Sequence, residues 1–239
     1  KPHVNYLIAL VAGYFEKLES RHGDIPLGFY TPPSQFAQAA NSFEGTADML
    51  AFYEQEIGIP YPWNKYDQVV VEDFVAGGME NTTLTILTDG TLFTNASENI
   101  HSSQYLIAHE LVHQWFGDLV TMAWWDDLWL NEGFASWMAT KVTDKLQPDW
   151  EMLLTRVDGR ERAMTLDSLA TTHPVAVMFD QTRTANHVYA HGVRSFADLY
   201  MSFERANFRV DTVLELHDNR VHDPLCPSVM VIRARKLGV

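Results

Sequence analysis

The 239-residue chain has a single cysteine, Cys226, and few basic residues. One cysteine cannot form a disulfide within the chain, so packing or a bound metal must stabilise the fold, and the redox compartment stays open. Lys and Arg number 17 against 31 Asp and Glu, and the basic residues form no cluster. Because phosphate binding needs clustered positive charge, nucleic acid and anionic membranes are excluded as expected partners.

Long hydrophobic runs are also missing. The longest near the start is YLIALVAGYF at residues 6 to 15, whereas a membrane-spanning helix needs about 20 apolar residues. The chain begins at Lys1, and neither a basic flank nor a small-residue cleavage site marks a targeting segment. We therefore expect no membrane span and favour the cytoplasm, with a signal upstream of Lys1 as the alternative. The oligomeric state stays open, and a homo-oligomer is compatible with the sequence.

Hydrophobic residues make up 46% of the chain, which suffices for a sizeable core. β-branched and aromatic stretches bounded by Gly, Pro, Asn or Asp predict strands at residues 6–15, 25–31, 66–74 and 83–88. Helical spacing of apolar residues predicts one helix from a Ser34 cap to Gly58, two between 102 and 145, and others at 149–166 and 187–206. Strands followed by helices predict an α+β fold with two lobes and a cleft between them.

The stretch YLIAHELVHQWFGD at residues 105 to 118 places polar residues inside an apolar helix pattern. Positions four apart share a helix face, so His109 and His113 can offer two nitrogens to one ion. Glu132, 19 positions after His113 on a second predicted helix, supplies a third ligand. Two histidines and a glutamate leave a fourth position for water, which is typical of catalytic zinc, and Glu110 can accept a proton from that water.

The alternative for this stretch is a half-exposed helix whose polar face forms salt bridges. A buried carboxylate between two histidines is costly unless a cation or hydrogen bonds offset its charge. Zinc supplies that cation, so the spacing favours a metal site.

A second stretch, VEDFVAGGMEN, ends a predicted strand in two glycines. Gly77 and Gly78 let another backbone approach closely, and the carboxylate of Glu80 suits an ammonium group. The alternative is a hairpin turn with a solvated glutamate.

Together, HELVHQWFGDLVT, LWLNEGFA and GGMEN resemble the gluzincin aminopeptidases, the zinc family that includes aminopeptidase N and the leukotriene hydrolases. The resemblance runs from about Tyr6 to Asp180. It implies a thermolysin-like metallopeptidase domain, with a mixed β-sheet lobe followed by a mainly helical lobe and one zinc ion in the cleft. The implied zinc ligands are His109, His113 and Glu132, with Glu110 as general base.

The resemblance also implies how a substrate binds. The implied substrate-binding residues are Gly77, Gly78, Met79, Glu80 and Asn81. Glu80 would hold the free α-amine, and the backbone from Gly77 to Met79 would pair with the substrate as an added strand.

Members of the family use a tyrosine to stabilise the oxyanion, and the stretch VYAHGV makes Tyr189 the candidate. His191 stands where the family usually has lysine, so Tyr200 or His191 are the alternatives. The expected function is zinc-dependent hydrolysis of the N-terminal bond of peptides that have a free N-terminus. The alternatives are a zinc endopeptidase or another hydrolase on the same scaffold, and a weakly active binding remnant.

The resemblance divides the chain into three parts. Residues 1–14 are expected to be the last strand of a mostly missing N-terminal β domain, 15–208 the catalytic domain, and 209–239 an unassigned tail. In the family, two carboxylates grip the amine, one of them from the preceding β domain. Of these two carboxylates, only Glu80 is expected in this chain. We therefore expect kcat/KM to be roughly tenfold higher for a free than for a blocked N-terminus.

Overall fold

The computed structural model describes residues 4–74, 76–97, 102–123, 125–170, 208–216 and 229–236. The chain divides into two compact units, one of which is Ala12–Met178, while the other combines Lys1–Val11 with Phe179–Val239. Within the described residues, none of the helices combines the length and the apolar composition needed to cross a bilayer.

The larger unit contains a mixed five-stranded sheet. Its strands are β1 (Glu16–His22), β2 (Ile25–Thr31), β3 (Tyr66–Val71), β4 (Gly78–Met79) and β5 (Leu84–Thr88). Their order in the sheet is β1-β2-β3-β5-β4, with β2, β3 and β5 parallel and both outer strands antiparallel to their neighbours. The short strand β4 therefore lies at one edge, where a backbone can still add to a sheet.

Among the described residues of this unit, five helices accompany the sheet: α1 (Ala39–Ser42), α2 (Thr46–Ile57), α3 (Gln104–Val112), α4 (Leu128–Leu146) and α5 (Met152–Asp167). Short 3₁₀ turns occupy Asn5–Leu7, Pro33–Gln38, Asp89–Thr91, Trp125–Asp127 and Pro148–Trp150. Helix α2 ends at Gly58, whose φ of 74° is the left-handed conformation that glycine adopts without strain.

The core lies between the parallel strands and helices α2, α3 and α4. Its buried side chains come from every one of these elements: Leu27, Phe29, Leu50, Tyr53, Val70, Leu87, Ile107, Leu111, Met138 and Val142. Removing such side chains from water is the main force that holds the helices on the sheet. The larger unit is therefore an α+β domain, as predicted.

Three of the predicted strands are confirmed as β2, β3 and β5, but the one predicted over 6–15 is wrong. Residues Asn5–Leu7 form a 3₁₀ turn, and the side chains of Leu10 and Tyr14 are both 94% exposed. The first strand is β1, which reads EKLESRH and forms a hairpin with β2 through a turn at Gly23. Both faces of this outer strand are largely exposed and carry charged residues. The alternation of apolar and polar residues that predicts a strand is therefore hard to detect.

The single helix predicted from Ser34 to Gly58 is interrupted. The interruption places Phe43 in the core, where its ring stacks on Phe29 with centroids 4.8 Å apart. The Ser42 hydroxyl accepts a hydrogen bond from the Phe93 N–H at 3.0 Å, which ties the break to the segment after β5. Tertiary contacts thus override the helical spacing.

The helices predicted after residue 102 are confirmed as α3, α4 and α5, whereas the one at 187–206 lies outside the described residues. In the smaller unit, Phe208–Leu216 (β6) and Val229–Lys236 (β7) form an antiparallel pair with an irregularity between Val210 and Thr212. The sequence analysis left this C-terminal region unassigned.

Strand β1 is joined to helix α2 by an ion pair between His22 and Glu54, with Nε2 and Oε2 2.8 Å apart. The other carboxylate oxygen accepts a hydrogen bond from the Tyr61 N–H at 2.7 Å. Burial raises the pKa of Glu54, but the hydrogen bonds from Tyr61 and His22 outweigh it and leave the pKa below its usual value. The ionised carboxylate therefore stabilises the fold.

We predict that Glu54→Gln lowers the free energy of unfolding by about 1 kcal/mol at pH 7. Because the pKa of Glu54 is depressed in the folded state, its contribution is present above the unfolded pKa of about 4.3 and is lost as pH falls through the folded value. Urea titrations from pH 7 to pH 3 should show the difference from the natural protein vanish at the acid end. Glu19→Gln, at an exposed ion pair with Lys17, is the control and should change little; equal losses in both variants would contradict the prediction.

Candidate metal centre and active site

The candidate ligands lie on helix α3, at its C-cap residue His113 and on helix α4. Two contacts tie these elements together. The Tyr105 hydroxyl donates to the Ser136 carbonyl oxygen at 3.4 Å. Beyond the end of α3, the ring of Phe116 stacks on that of Phe134, with centroids 5.2 Å apart and planes 12° from parallel. Phe134 lies two positions after Glu132, so this stacking holds Glu132 close to the end of α3.

The three candidate ligand atoms converge. The Nε2 atoms of His109 and His113 are 3.1 Å apart. An oxygen of Glu132 lies 3.2 Å from the first of these nitrogens and 3.8 Å from the second. In a four-coordinate zinc site with bonds of about 2.0 to 2.2 Å, ligand atoms lie about 3.3 Å from one another. The three distances fit such a site.

The hydrogen bond of His113 sets the direction of its lone pair. Its Nδ1 atom lies 2.9 Å from the carbonyl oxygen of Phe116. A carbonyl oxygen only accepts, so Nδ1 carries the proton and the lone pair of the neutral ring is on Nε2, facing His109. Such a partner on the outer nitrogen is usual for metal-binding histidines. The lone pair of His113 thus faces the point where His109 and Glu132 converge, which suits a cation there.

Glu110 lies next to the edge strand β4. Its side chain is buried, and a Cβ added to Gly78 would collide with its carboxylate group. Atoms of Glu80, Glu110 and His113 also lie within 4.8 Å of one another. Glycine at position 78 is therefore what allows the carboxylate of Glu110 to lie against the backbone of β4.

The site is strongly acidic. Burial, followed by the negative charges of Glu80, Glu132 and Asp118, raises the pKa of Glu110 well above its usual value. Burial and then the charge of Glu80 raise the pKa of Asp118 to about 9. Carboxylates that repel one another in a buried site are stabilised by positive charge. The electrostatics of the site thus favour a metal ion and a cationic ligand group.

Two residues next to the candidate ligands were missed by the sequence analysis. Gln114 follows His113 and is fully buried, and Asn131 precedes Glu132 and is 2% exposed. Both contact the segment that carries Glu80. Asp118, a buried acid in the same motif, was also missed. All three lie inside the motifs HELVHQWFGDLVT and LWLNEGFA. Each contacts or repels residues of the segment that carries Glu80, which is distant in the sequence.

The structure also locates the other predicted site residues. Gly78 and Met79 form β4, and Gly77, Glu80 and Asn81 flank it. Glu80 and Asn81 are buried. Tyr189 and its alternatives His191 and Tyr200 lie outside the described residues. The roles of these residues stay predictions.

The chain matches the Peptidase family M1 domain over residues 41–195. It is 38% identical over 189 residues to Aminopeptidase 2 of Candida albicans, covering 77% of this chain and 20% of that protein. It is 36% identical over 191 residues to Aminopeptidase N of Mus musculus, covering 77% of this chain and 20% of that protein. Aminopeptidase M1 of Arabidopsis thaliana is 34% identical over 189 residues, with 77% and 22% covered. The chain spans about a fifth of the length of these relatives.

We predict that the purified chain binds about one zinc ion through His109, His113 and Glu132, because their ligand atoms already lie at distances that suit zinc. Elemental analysis of protein never exposed to a chelator measures the stoichiometry. His113→Ala should lose the metal, whereas His22→Ala, which removes an imidazole far from the site in the sequence, should keep it. A stoichiometry near zero that added zinc cannot restore would contradict the prediction.

Proposed function

Because this chain belongs to peptidase family M1, we propose that it is the catalytic part of a zinc metallo-aminopeptidase that hydrolyses the N-terminal bond of peptides. The main support is one observation: the buried acids Glu80 and Glu110 lie within 4.8 Å of the candidate ligand His113. This proximity supports a site in which an amine-binding carboxylate and a base lie beside one metal ion. The relatives reported above, all named aminopeptidases, also support the proposal.

The proposal includes the architecture of the catalytic domain. We place this domain at residues 15–208, with a sheet lobe, a helical lobe and the metal in a thermolysin-like cleft between them. The start of the compact unit Ala12–Met178 supports the first limit, and the family match over residues 41–195 supports an extension beyond Met178. Residues 1–14 are assigned to the end of a preceding β domain, and 209–239 remain without a role.

In the proposed mechanism, His109, His113 and Glu132 hold the metal. When bound there, zinc supplies the Lewis acidity that makes a water molecule easier to deprotonate and a peptide carbonyl easier to attack. Glu110 takes the proton from the attacking water and passes it to the leaving amine. Its burial and its contact with the backbone of β4 support this role, because both keep the carboxylate close to where a bound peptide would lie.

The substrate is proposed to lie along β4. This strand pairs with β5 on one side, and an extended peptide can add to the other side as a further strand. At the end of β4, the carboxylate of Glu80 would pair with the substrate's α-ammonium group. The backbone of Gly77 to Met79 and the side chain of Asn81 would complete this binding site.

Tyr189 is proposed to donate a hydrogen bond to the oxyanion that develops on the scissile carbonyl group. Donors aimed at this charge commonly contribute a large part of the rate enhancement in acyl transfer. The support for Tyr189 is the resemblance of its surrounding sequence to that of the family.

We predict that Glu110→Gln keeps about one zinc ion per chain and loses about 10²-fold or more in kcat, because general-base help is typically worth 10² to 10⁴. Hydrolysis of an aminoacyl anilide and the metal content should be measured on the same preparation. Glu44→Gln, at an exposed position, is the matched control. A Glu110→Gln protein with full activity would exclude Glu110 as the base.

We further predict that kcat/KM is roughly tenfold higher for an aminoacyl anilide than for its N-acetyl form, since one ion pair distinguishes the two substrates. Glu80→Gln should remove this preference and leave turnover of the acetylated form nearly unchanged. Equal rates for the two substrates in the natural protein would favour an endopeptidase or another hydrolase on this scaffold. A preference of a thousandfold or greater would mean that further residues complete the amine site.

A further inference from the structure

The segment that carries Glu80 is held by both helix regions that carry the candidate metal ligands. Gln114, the residue after His113, contacts the backbone of this segment, and Asn131, the residue before Glu132, contacts the Glu80 carboxylate. The sequence motifs gave no role to either amide. Their contacts point to a joint role in the recognition of the substrate's amine.

Asn131 lies directly against the carboxylate that the proposed function assigns to the amine. Its Nδ2 atom donates to Oε1 of Glu80 at 3.3 Å, and both side chains are buried. Gly117 leaves room for this contact, because a Cβ at that position would lie 2.5 Å from Oδ1 of Asn131. A donor on one oxygen fixes the orientation of the carboxylate and leaves its other oxygen to bind a cation.

Gln114 holds the backbone from Glu80 to Thr83. Its side-chain amide group lies 3.5 Å from the carbonyl oxygen of Glu80 and 3.4 Å from that of Asn81. Its side-chain oxygen accepts a hydrogen bond from the Thr83 N–H at 2.9 Å. A glutamine that donates and accepts in this way fixes the distance of the segment from the end of helix α3.

The Gln114 side chain is itself held in place. The Tyr61 hydroxyl lies 3.4 Å from its side-chain oxygen, and the indole N–H of Trp63 donates to its backbone carbonyl oxygen at 3.1 Å. With its side chain fully buried, Gln114 has little freedom to move. Buried amides with satisfied hydrogen bonds are rigid anchors in a protein interior.

We propose that Asn131 and Gln114 are positioning residues that orient Glu80 relative to the metal site, and so determine the preference for a free N-terminus. This inference rests on the proposed function, in which Glu80 binds the α-ammonium group. Each amide follows or precedes a metal ligand in the sequence, so a shift of either ligand-bearing segment moves Glu80 with it. The distance from the amine site to the scissile bond is thereby kept constant, which selects cleavage after the first residue.

The test compares the binding of leucine hydroxamate with that of its N-acetyl form to the zinc-loaded full chain, using calorimetry. The natural protein should bind the free-amine form roughly tenfold more tightly. Asn131→Leu removes the donor without adding a charge, and Gln114→Glu removes the amide donors but keeps an acceptor for Thr83. Both should reduce the binding preference to below about threefold, mainly by weakening the free-amine form, with the zinc content unchanged. Asn131→Ala should act in the same direction and serves if the Leu variant fails to fold.

Two matched variants make the same chemical changes elsewhere. Asn41→Leu and Gln104→Glu alter amides that donate to the carbonyl oxygens of Phe93 and Ser42, and both should keep the natural preference. If the Asn131 and Gln114 variants keep it too, or weaken both ligands equally, the two residues have only a structural role and the inference is wrong. If the natural protein itself binds both forms equally, then amine recognition by Glu80, and with it the proposed function, is wrong. Because binding is measured directly, neither outcome depends on turnover.

Discussion

The repulsion between buried carboxylates is the constraint on which the site depends. Glu80, Glu110 and Asp118 are all buried, and Glu132 approaches the two candidate histidine ligands from helix α4. Such a cluster costs free energy in a low-dielectric interior unless protons or cations neutralise it. The raised pKa values of Glu110 and Asp118 show this cost. A divalent metal at the histidines and an ammonium group at Glu80 would both lower this cost, and these are the ligands that the proposed reaction needs.

The rest of the domain holds this cluster in place. The Tyr53 hydroxyl donates to the Ala108 carbonyl oxygen at 2.9 Å, which joins α2 to α3 one residue before His109. Strand β4 is kept at the sheet edge by its pairing with β5, and Gly78 allows Glu110 to lie against it. The sheet edge and the helices that carry the candidate metal ligands thus meet at the residues proposed to bind the substrate.

Much of this organisation could be predicted from the sequence, because it depends on local spacing. The four-residue interval of His109 and His113 on a helix brings their nitrogens together whatever surrounds them. The strands β2, β3 and β5 could be predicted for the same reason, because each is rich in β-branched and aromatic residues over a short stretch of sequence. Glu132 could be placed because its motif fits a second helix able to pack on the first.

The remaining features depend on contacts between distant parts of the chain. Nothing near Asn131 in the sequence indicates that its partner is Glu80, 51 positions away. The same holds for Gln114, which contacts backbone atoms of the Glu80 segment. Every residue has these backbone atoms, so the residue types in the sequence do not indicate such contacts. The expected strand over 6–15 was wrong because apolar alternation alone does not supply a partner strand, while β1 went unnoticed because it is charged.

The most direct test of the account is an anomalous difference map from crystals of the zinc-loaded chain, collected at the zinc absorption edge. The account predicts one strong peak within bonding distance, about 2.0 to 2.2 Å, of the Nε2 atoms of His109 and His113 and an oxygen of Glu132, with Glu80 and Glu110 free of the metal. A peak held instead by Glu80, Glu110 and His113, whose atoms also lie within 4.8 Å of one another, would contradict it, because the metal would then occupy the positions proposed for the base and the amine.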